Sequence, residues 1–484
     1  MESKIRSAFV WSFIQRFGTQ LVEVSVSIML ARILLPEEFG LIGMIMIVIV
    51  VAQSLTDAGM TSSLIRKKEA DNLDYSTVFY LNIAVGFVVY GLIYLIAPLV
   101  SEFYEEPLLT DLLRVFSLTI IINAFTGVQS TIYRKNLDFK FLFRIGITTS
   151  IVSGAVGLYM ALHNFGVWSL VCMHIVKSLM GCILYWKLSP WKPSYLFSVA
   201  RLKEHFSFGI NLTVSSLLNR VFDNIYYVTI GKYFSATQLG FYTRANTFKQ
   251  IPINNLLSAV NGAAYPVLSS VQDDSIRLKS VYKRIMKQII FLIAPTMIGA
   301  IVLAKALFVT LFTEKWLEAV PYFQVLCLAG ILYPVHSYNL NILKVKGRSD
   351  LFLKLEVVKK IILLFSVILA IPFGIMALLY SQLFLSVVLL GVNAFYSKRF
   401  VNYGLSEQVL DILPSILLAL IMGVVVYLLD RNFFSHFSNY ASIIFGGFTG
   451  LLVYFSLSFI FKFESLFEII NLFKSRTRKF DSRN

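Results

Sequence analysis

Apolar runs of about twenty residues recur along this chain, separated by short polar links. A helix needs about 20 apolar residues to cross the hydrocarbon core of a bilayer. Reading with that window predicts fourteen spans, at residues 9–31, 40–64, 75–99, 112–133, 142–163, 166–187, 206–231, 240–266, 289–311, 318–343, 352–372, 375–397, 410–429 and 440–462. The eighth and tenth of these are rich in Asn and Pro. Strands of an outer-membrane barrel would instead show runs of about ten residues alternating apolar and polar. The pattern predicts an all-α integral membrane protein.

Composition agrees with the periodicity. The chain is 57% hydrophobic and 14% charged over 484 residues, against about a quarter charged for soluble domains. Disorder is excluded, because 42 Phe and 24 Tyr must be buried. The net charge of +16 is uneven along the chain. Alternate links carry Arg66–Lys68, Arg134 to Arg144, Lys187 to Lys203, Arg277 to Lys287, Lys344 to Lys354, Lys398 and Arg399, and a basic tail from Lys462 to Arg483. With Lys4 and Arg6 this set holds 30 of the 43 basic residues; the other links hold only Arg32, Lys232, Lys315 and Arg431. Cytoplasmic links carry the Lys/Arg excess, so both termini are expected in the cytoplasm. The charge reports orientation and gives no reason to expect a nucleic-acid partner.

The first apolar run has the basic start of a signal peptide. It also contains Gln15, Arg16, Gln20 and Glu23, and no small-residue cleavage site follows. It reads as a retained first helix. Cys172, Cys182 and Cys327 lie inside spans and read as small buried hydrophobes, without metal or disulfide spacing. The link at 267–288 and the segment FESLFEIINLFKSRTRK read as amphipathic helices on the membrane surface. No P-loop, HExxH or GxSxG occurs. No cofactor, resident metal or enzymatic activity is expected.

An internal repeat relates the halves. FVWSFIQRFGTQLVEVSVSIMLARILLPEEFGLIG aligns without gaps on GINLTVSSLLNRVFDNIYYVTIGKYFSATQLGFYT at an offset of 200 residues. Arg32 falls on Lys232, Gly40 on Gly240 and Glu23 on Asp223. Polar residues form one stripe on each of these two helices: Ser12, Arg16, Thr19, Gln20, Glu23 and Ser27 on the first, and Ser216, Asn219, Arg220, Asp223 and Tyr227 on the second. Six spans separate the two starts, so the repeat is parallel. The predicted architecture is two six-helix lobes, at 1–190 and 191–400, two additional helices at 401–463, and a basic amphipathic tail at 464–484.

A polar stripe in a bilayer must face protein or water. Matched stripes suggest a shared cavity, although for Ser12, Thr19, Ser27 and Asn219 taken singly helix-to-helix hydrogen bonding is the better explanation. The deep charges are more telling, because each is costly at mid-membrane. The cations Arg16, Lys177, Arg220, Arg244 and Lys249 outnumber the anions Glu23 and Asp223, so a cavity that they lined would suit an anion. Arg220 and Asp223, three apart, could instead form a static pair. His174 reads as a packing residue.

Several stretches resemble a known group. They are ARILLPEEFGLIGMIMI at 31–47, LTDAGMTSSLIRK at 55–67, YRKNLDFKFLFR at 133–144, NFGVWSLV at 164–171, LGFYTRANTFKQIPINNLLSAVNGAAYPVLSSVQDD at 239–274, EKWLEAVPYFQVLCLAGIL at 314–332 and KVKGRSDLFLKLE at 344–356. The chain resembles the multidrug/oligosaccharidyl-lipid/polysaccharide (MOP) exporter superfamily, and within it the Wzx-type flippases of the polysaccharide branch (the WzxC/TuaB-like group), over about residues 5–400. The resemblance implies translocation of an undecaprenyl-diphosphate-linked oligosaccharide across a bacterial plasma membrane by alternating access, driven by ion gradients or membrane potential. It implies basic residues in the central cavity, for which the five deep cations are the candidates by position; Glu23 or Asp223 is the candidate for coupling transport to a cation. Membrane lipids, and beyond them polysaccharide polymerase and chain-length enzymes, are the implied partners. A multidrug exporter of the same superfamily is the first alternative, but organic cations would favour an acidic cavity. A membrane polymerase or ligase would carry a large external loop with catalytic Arg or His, and the external links here are short. A scaffold for a synthesis complex has no positive feature in its favour.

Overall fold

The computed structural model describes residues 2–434, 437–468 and 470–471; residues 472–484 of the expected basic tail lie outside the described residues. The described chain is helical, with no strand among its elements, and every segment expected to span is helical. Nine helices among the described residues are long and apolar enough to cross a membrane, or ten if one bent pair counts as a single span. The chain is therefore a multi-pass membrane protein. It divides into two compact units, Met1–Thr243 and Arg244–Asn484.

The first unit contains α1 (Glu2–Ile33), α2 (Pro36–Asp57), α3 (Met60–Arg66), α4 (Asn72–Tyr104), α5 (Leu109–Phe116), α6 (Leu118–Ala124), α7 (Gly127–Lys135), α8 (Phe139–Leu162), α9 (Trp168–Leu188), α10 (Val199–Asp223), α11 (Ile225–Tyr233) and the start of α12 (Ala236–Ser270). Helix α1 packs along α8, and α8 along α9. Helix α10 packs against α2, α3 and α4.

Several expected spans are broken rather than continuous. The second divides at Ala58 and Gly59, which have φ of 43° and 70°. Gly59 suits this left-handed turn, and the turn also lets α10 come close. A Cβ on Gly59 would fall 2.5 Å from the Gly209 carbonyl oxygen. The fourth span divides into α5, α6 and α7, with a 49° bend between Leu109–Ala124 and Gly127–Lys135. The seventh divides at Asn224, whose side-chain amide donates to the Arg220 carbonyl at 2.7 Å. At Asn224 the side-chain amide takes the carbonyl that a regular helix gives to a backbone N–H, a local exchange that a hydropathy window averages away.

The offset of the internal repeat reappears as geometry. A Cβ on Gly40 would fall 1.7 Å from the carbonyl oxygen of Ala236, and one on Gly240 would fall 1.8 Å from that of Pro36. Adding 200 to Pro36 and Gly40 gives Ala236 and Gly240, so the two crossings exchange under the repeat. Such reciprocity is the mark of a local two-fold relation. Only glycine permits it, because any side chain would strike backbone.

The second unit holds the rest of α12, then α13 (Ser275–Val302), α14 (Ala304–Phe312), α15 (Ala319–Val345), α16 (Ser349–Ala370), α17 (Ile375–Val401), α18 (Leu405–Asn432) and α19 (Asn439–Ile460). Helix α13 packs against α15 and α18, and α15 against α17. The link at 267–288 differs from its expected form. Its basic residues belong to the first turns of α13, which continues unbroken into the next span. Asp274 caps that helix by accepting from the N–H groups of Ile276 and Arg277. Lys279 pairs with Glu407 at 2.8 Å, and Lys283 with Asp411 at 3.0 Å. The described part of the tail also turns its acidic residues toward α13: Glu468 meets Arg284 at 2.7 Å and Glu464 meets Lys287 at 3.2 Å. Lys279, Lys283, Arg284 and Lys287 of the link, and Glu464 and Glu468 of the tail segment, thus find partners within the protein.

Candidate functional site

Two charged clusters in the first unit stand inside or beside membrane spans. The first lies where α3, α4 and α10 meet. Asp71 caps α4 by accepting from the Asp74 N–H, and the Asp74 carboxylate accepts in return from the Asp71 N–H at 3.1 Å. Asp74 is fully buried, so its charge needs further partners. Lys67 Nζ lies 2.9 Å from it and His205 Nε2 3.2 Å, while His205 Nδ1 is hydrogen-bonded to Ser63 Oγ at 2.8 Å. Glu204 adds a second carboxylate 3.0 Å from Lys67. Burial alone would lower the Lys67 pKa, but its hydrogen bonds to Asp74 and Glu204 hold it above the ordinary lysine value. The hydrogen bond to Lys67 holds Glu204 below the ordinary carboxylate value.

The second cluster is built on α1, α8 and α9. Gly146 and Gly154 bracket Ser150 on α8. A Cβ on Gly146 would meet Thr19 at 2.8 Å, and one on Gly154 would meet Val26 at 2.4 Å. These glycines let α1 lie close enough for Glu23 to reach its neighbours. Lys177 Nζ on α9 donates to Glu23 Oε1 at 2.5 Å, and Ser150 Oγ donates to the same oxygen at 3.3 Å. Both charged side chains remain open, at 40% and 49% exposed. They form an ion pair that another charge can compete for.

Lys177 also lines a cavity of about 310 Å³ between α2, α5, α6, α8 and α9. Ligand sites usually span about 300–1,000 Å³. The walls carry Gln53, Asn123, Thr126, His174, Ser178 and Tyr185, with Phe116 packed on the His174 ring at 5.1 Å. The bend between α6 and α7 falls at this wall, where Thr126 Oγ1 donates to the Asn123 carbonyl at 3.0 Å. Irregular backbone at membrane depth occurs where it is enclosed by protein or lines a wet cavity.

Of the cations nominated from the sequence, Lys177 lines this cavity, and the structure joins it to Glu23. Arg16 is exposed, two turns before Glu23 on α1. Arg220 and Asp223 are exposed on the last turn of α10. Arg244 and Lys249 belong to the second unit and are buried, at 5% and 9% exposed. The Arg244 guanidinium lies over the rings of Phe312 and Trp316 at 5.6 and 5.5 Å, a cation–π arrangement. Gln53, Asn123, Ser150 and Ser178 were not singled out from the sequence. The available signal was an uncharged polar residue inside an apolar run, as in LTIIINAF at 118–125. Many such residues only join helices, so the type alone does not select them.

Comparison with known proteins adds relatives. A family profile described as polysaccharide biosynthesis protein matches residues 29–321. Teichuronic acid biosynthesis protein TuaB of Bacillus subtilis (strain 168) is 29% identical over 307 residues, which are 62% of this chain and 63% of that protein. Lipopolysaccharide biosynthesis protein WzxC of Escherichia coli (strain K12) is 26% identical over 367 residues, 74% of this chain and 73% of the relative. Among solved structures, the lipid II flippase MurJ in an inward closed conformation is similar with a TM-score of 0.74 at 17% identity, over 94% of this chain and 98% of that one. An inward-facing multidrug transporter of the MATE family is similar with a TM-score of 0.58 at 15% identity, over 88% of this chain and 99% of the other. The fold is thus that of the MurJ and MATE transporters.

Proposed function

Because the chain belongs to the polysaccharide biosynthesis protein family, we propose that it is a flippase. It carries an undecaprenyl-diphosphate-linked oligosaccharide from the inner to the outer leaflet of a bacterial plasma membrane for surface polysaccharide export. The observation that carries this reading is the Lys177–Glu23 pair at the edge of a polar cavity in the first unit. A diphosphate needs a cation at membrane depth, and a half-exposed lysine held by one carboxylate can be transferred to it. The names of TuaB and WzxC, which concern cell-surface polysaccharides, support the choice. Multidrug transporters share the fold, so fold alone does not choose between cargoes. The basic character of the deep charges favours an anionic lipid.

In the proposed architecture fourteen helices form two parallel six-helix lobes, 1–190 and 191–400, with two further helices at 401–463 and both termini cytoplasmic. The charge alternation of the links and the repeat offset of 200 support it. Lys177 takes the diphosphate first. Arg16 and Arg220, exposed on the lead helices of the two repeats, are further contacts, and Arg244 and Lys249 join only in a conformation that uncovers them. Glu23, or its repeat mate Asp223, is the carboxylate through which an ion gradient acts.

The test uses proteoliposomes containing the protein and a fluorescent short-chain polyprenyl-diphosphate oligosaccharide. Wild-type protein should make the inner-leaflet pool accessible to an external quencher, and Lys177→Ala should slow this at least tenfold while inserting normally. Equal rates for protein-containing and empty vesicles would exclude the flippase reading.

A further inference from the structure

In the second unit the chain turns sharply where α19 ends. The helix stops at Ile460, and Lys462 takes a left-handed φ of 52°. The Lys462 N–H donates to the Phe459 carbonyl at 3.1 Å and the Phe463 N–H to the Ser458 carbonyl at 2.9 Å, which closes the turn. The returning segment is anchored: Ser465 and Leu466 are buried, and the Phe463 ring lies 6.3 Å from that of Phe291 on α13. A cavity of about 520 Å³ opens against this elbow, lined by Phe459, Lys462, Glu464, Phe467, Glu468 and Asn471. Its volume falls within the usual range of ligand sites.

The charged side chains around the cavity are unequally used. Glu468 is engaged at both oxygens, by Gln288 Nε2 at 2.7 Å and by Arg284 at 2.7 Å. Glu464 meets Lys287 at 3.2 Å through Oε2 and is 78% exposed, so Oε1 keeps its lone pairs. Lys462 is exposed and pairs with no carboxylate among the described residues. The cavity thus offers one ammonium and one carboxylate oxygen. Phe459 and Phe467, with ring centroids 5.9 Å apart, supply an apolar floor. That floor continues along α19, where Ile444, Phe448, Leu452, Phe455 and Phe459 follow at helical spacing and are all exposed. An exposed apolar row on a span is a surface for lipid chains.

A ligand that answers all of these features has an anion for Lys462, a hydrogen-bonding cation for Glu464 and an acyl chain for the row. We propose that the elbow is a binding site for an aminophospholipid of the phosphatidylethanolamine type. Its phosphate pairs with Lys462, its primary ammonium donates to Glu464 Oε1, and its acyl chain follows the Phe459 row along α19. Phosphatidylglycerol brings the same phosphate but offers Glu464 hydroxyls instead of a cation. Phosphatidylcholine brings a cation that has no N–H to donate. The bound headgroup ties Lys462 to Glu464 across the turn. Glu464 and Glu468 in turn hold Lys287 and Arg284 of α13, so the lipid fastens the tail segment to α13. The site makes no use of the cargo and stands or falls apart from the flippase reading.

Native mass spectrometry of the full-length protein tests the site. The protein is released from mixed micelles holding equal amounts of dioleoyl phosphatidylethanolamine, phosphatidylglycerol and phosphatidylcholine. Wild type should retain the ethanolamine lipid about tenfold over the other two, the size expected for one hydrogen bond between charged groups. Lys462→Asn removes the ammonium and keeps a residue that tolerates the left-handed turn. Glu464→Gln removes the anion. Each variant should lower retention of the ethanolamine lipid to the level of the choline lipid. Adding the ethanolamine lipid should also raise the melting temperature of wild type and leave that of both variants unmoved; their melting without lipid reports whether they are folded. Equal retention of the three lipids by wild type, a preference for phosphatidylglycerol, or an unchanged preference in both variants would overturn the site.

Discussion

The Asp74 and Glu23 clusters are made of the same materials and do opposite things. Each has a carboxylate, a lysine and a serine, and each joins helices far apart in sequence, through His205 and Glu204 in the first and through Ser150 and Lys177 in the second. Around Asp74 the carboxylate is fully buried and takes bonds from Lys67, His205 and the Asp71 N–H. Around Glu23 the lysine and serine meet one carboxylate oxygen, the pair is about half exposed, and idle amides stand nearby. A satisfied network holds helices together. A network left partly unsatisfied beside a cavity has capacity for a ligand, which is why charge at membrane depth is a weaker guide to function than charge with spare bonding.

The largest expected effect tests the closed cluster. Asp74→Leu removes the fully buried carboxylate that joins Lys67, His205 and Arg201, leaving Lys67 only Glu204 and His205 only Ser63 among the described residues. Breaking a buried pair in this way costs about 3–5 kcal/mol, so the melting temperature and the membrane-inserted yield should both fall steeply. If Asp74→Leu protein melted like wild type but failed to transport, the assignment of the two clusters would have to be exchanged.

Glu23→Gln sharpens the open cluster and should act on turnover rather than folding. Removing the competing carboxylate frees Lys177, so binding of a bare polyprenyl diphosphate should tighten severalfold while flipping slows because release is hindered. Weaker binding in this variant would mean that Glu23 orients Lys177 instead of competing for it.

The smallest effect belongs to an exposed pair outside both clusters. Lys232 Nζ lies 2.8 Å from the Glu105 carboxylate, and that hydrogen bond holds Glu105 below the ordinary carboxylate pKa. A lowered carboxylate pKa adds stability above the unfolded-state value, and this stability is lost as pH falls through the folded one. In thermal melts against pH, Lys232→Met should differ from wild type slightly at neutral pH and converge with it in acid. The difference should also shrink at high salt, as it does for exposed pairs. A large difference that persists in acid would point to lost packing of the lysine stem on Phe103, whose ring centroid is 5.4 Å from Nζ.

Much of the fold was legible in order of residues. Hydropathy located helices, and the offset of 200 anticipated the exchange of Pro36 and Gly40 with Ala236 and Gly240. The nomination of Lys177 and Glu23 rested on charge inside apolar runs, and the structure brings these two together. Their partnership was not legible, because it depends on Gly146 and Gly154 letting α1 lie against α8. Gln53 and Asn123 were passed over for a related reason. An amide in a span looks the same whether it joins two helices or faces a cavity, and only the surrounding backbone tells which.

By itself, the sequence determined that this protein crosses a membrane many times as helices. Burying so many apolar side chains while satisfying every backbone amide in lipid leaves little other choice. It also carried the charge asymmetry of the links and the repeat. Tertiary structure decided where the helices break, which charges are used up, and which polar groups remain for something else to bind. Those outcomes depend on distances of a few ångströms between residues more than a hundred positions apart, such as Glu23 and Lys177, and no local pattern along the chain encodes such a distance.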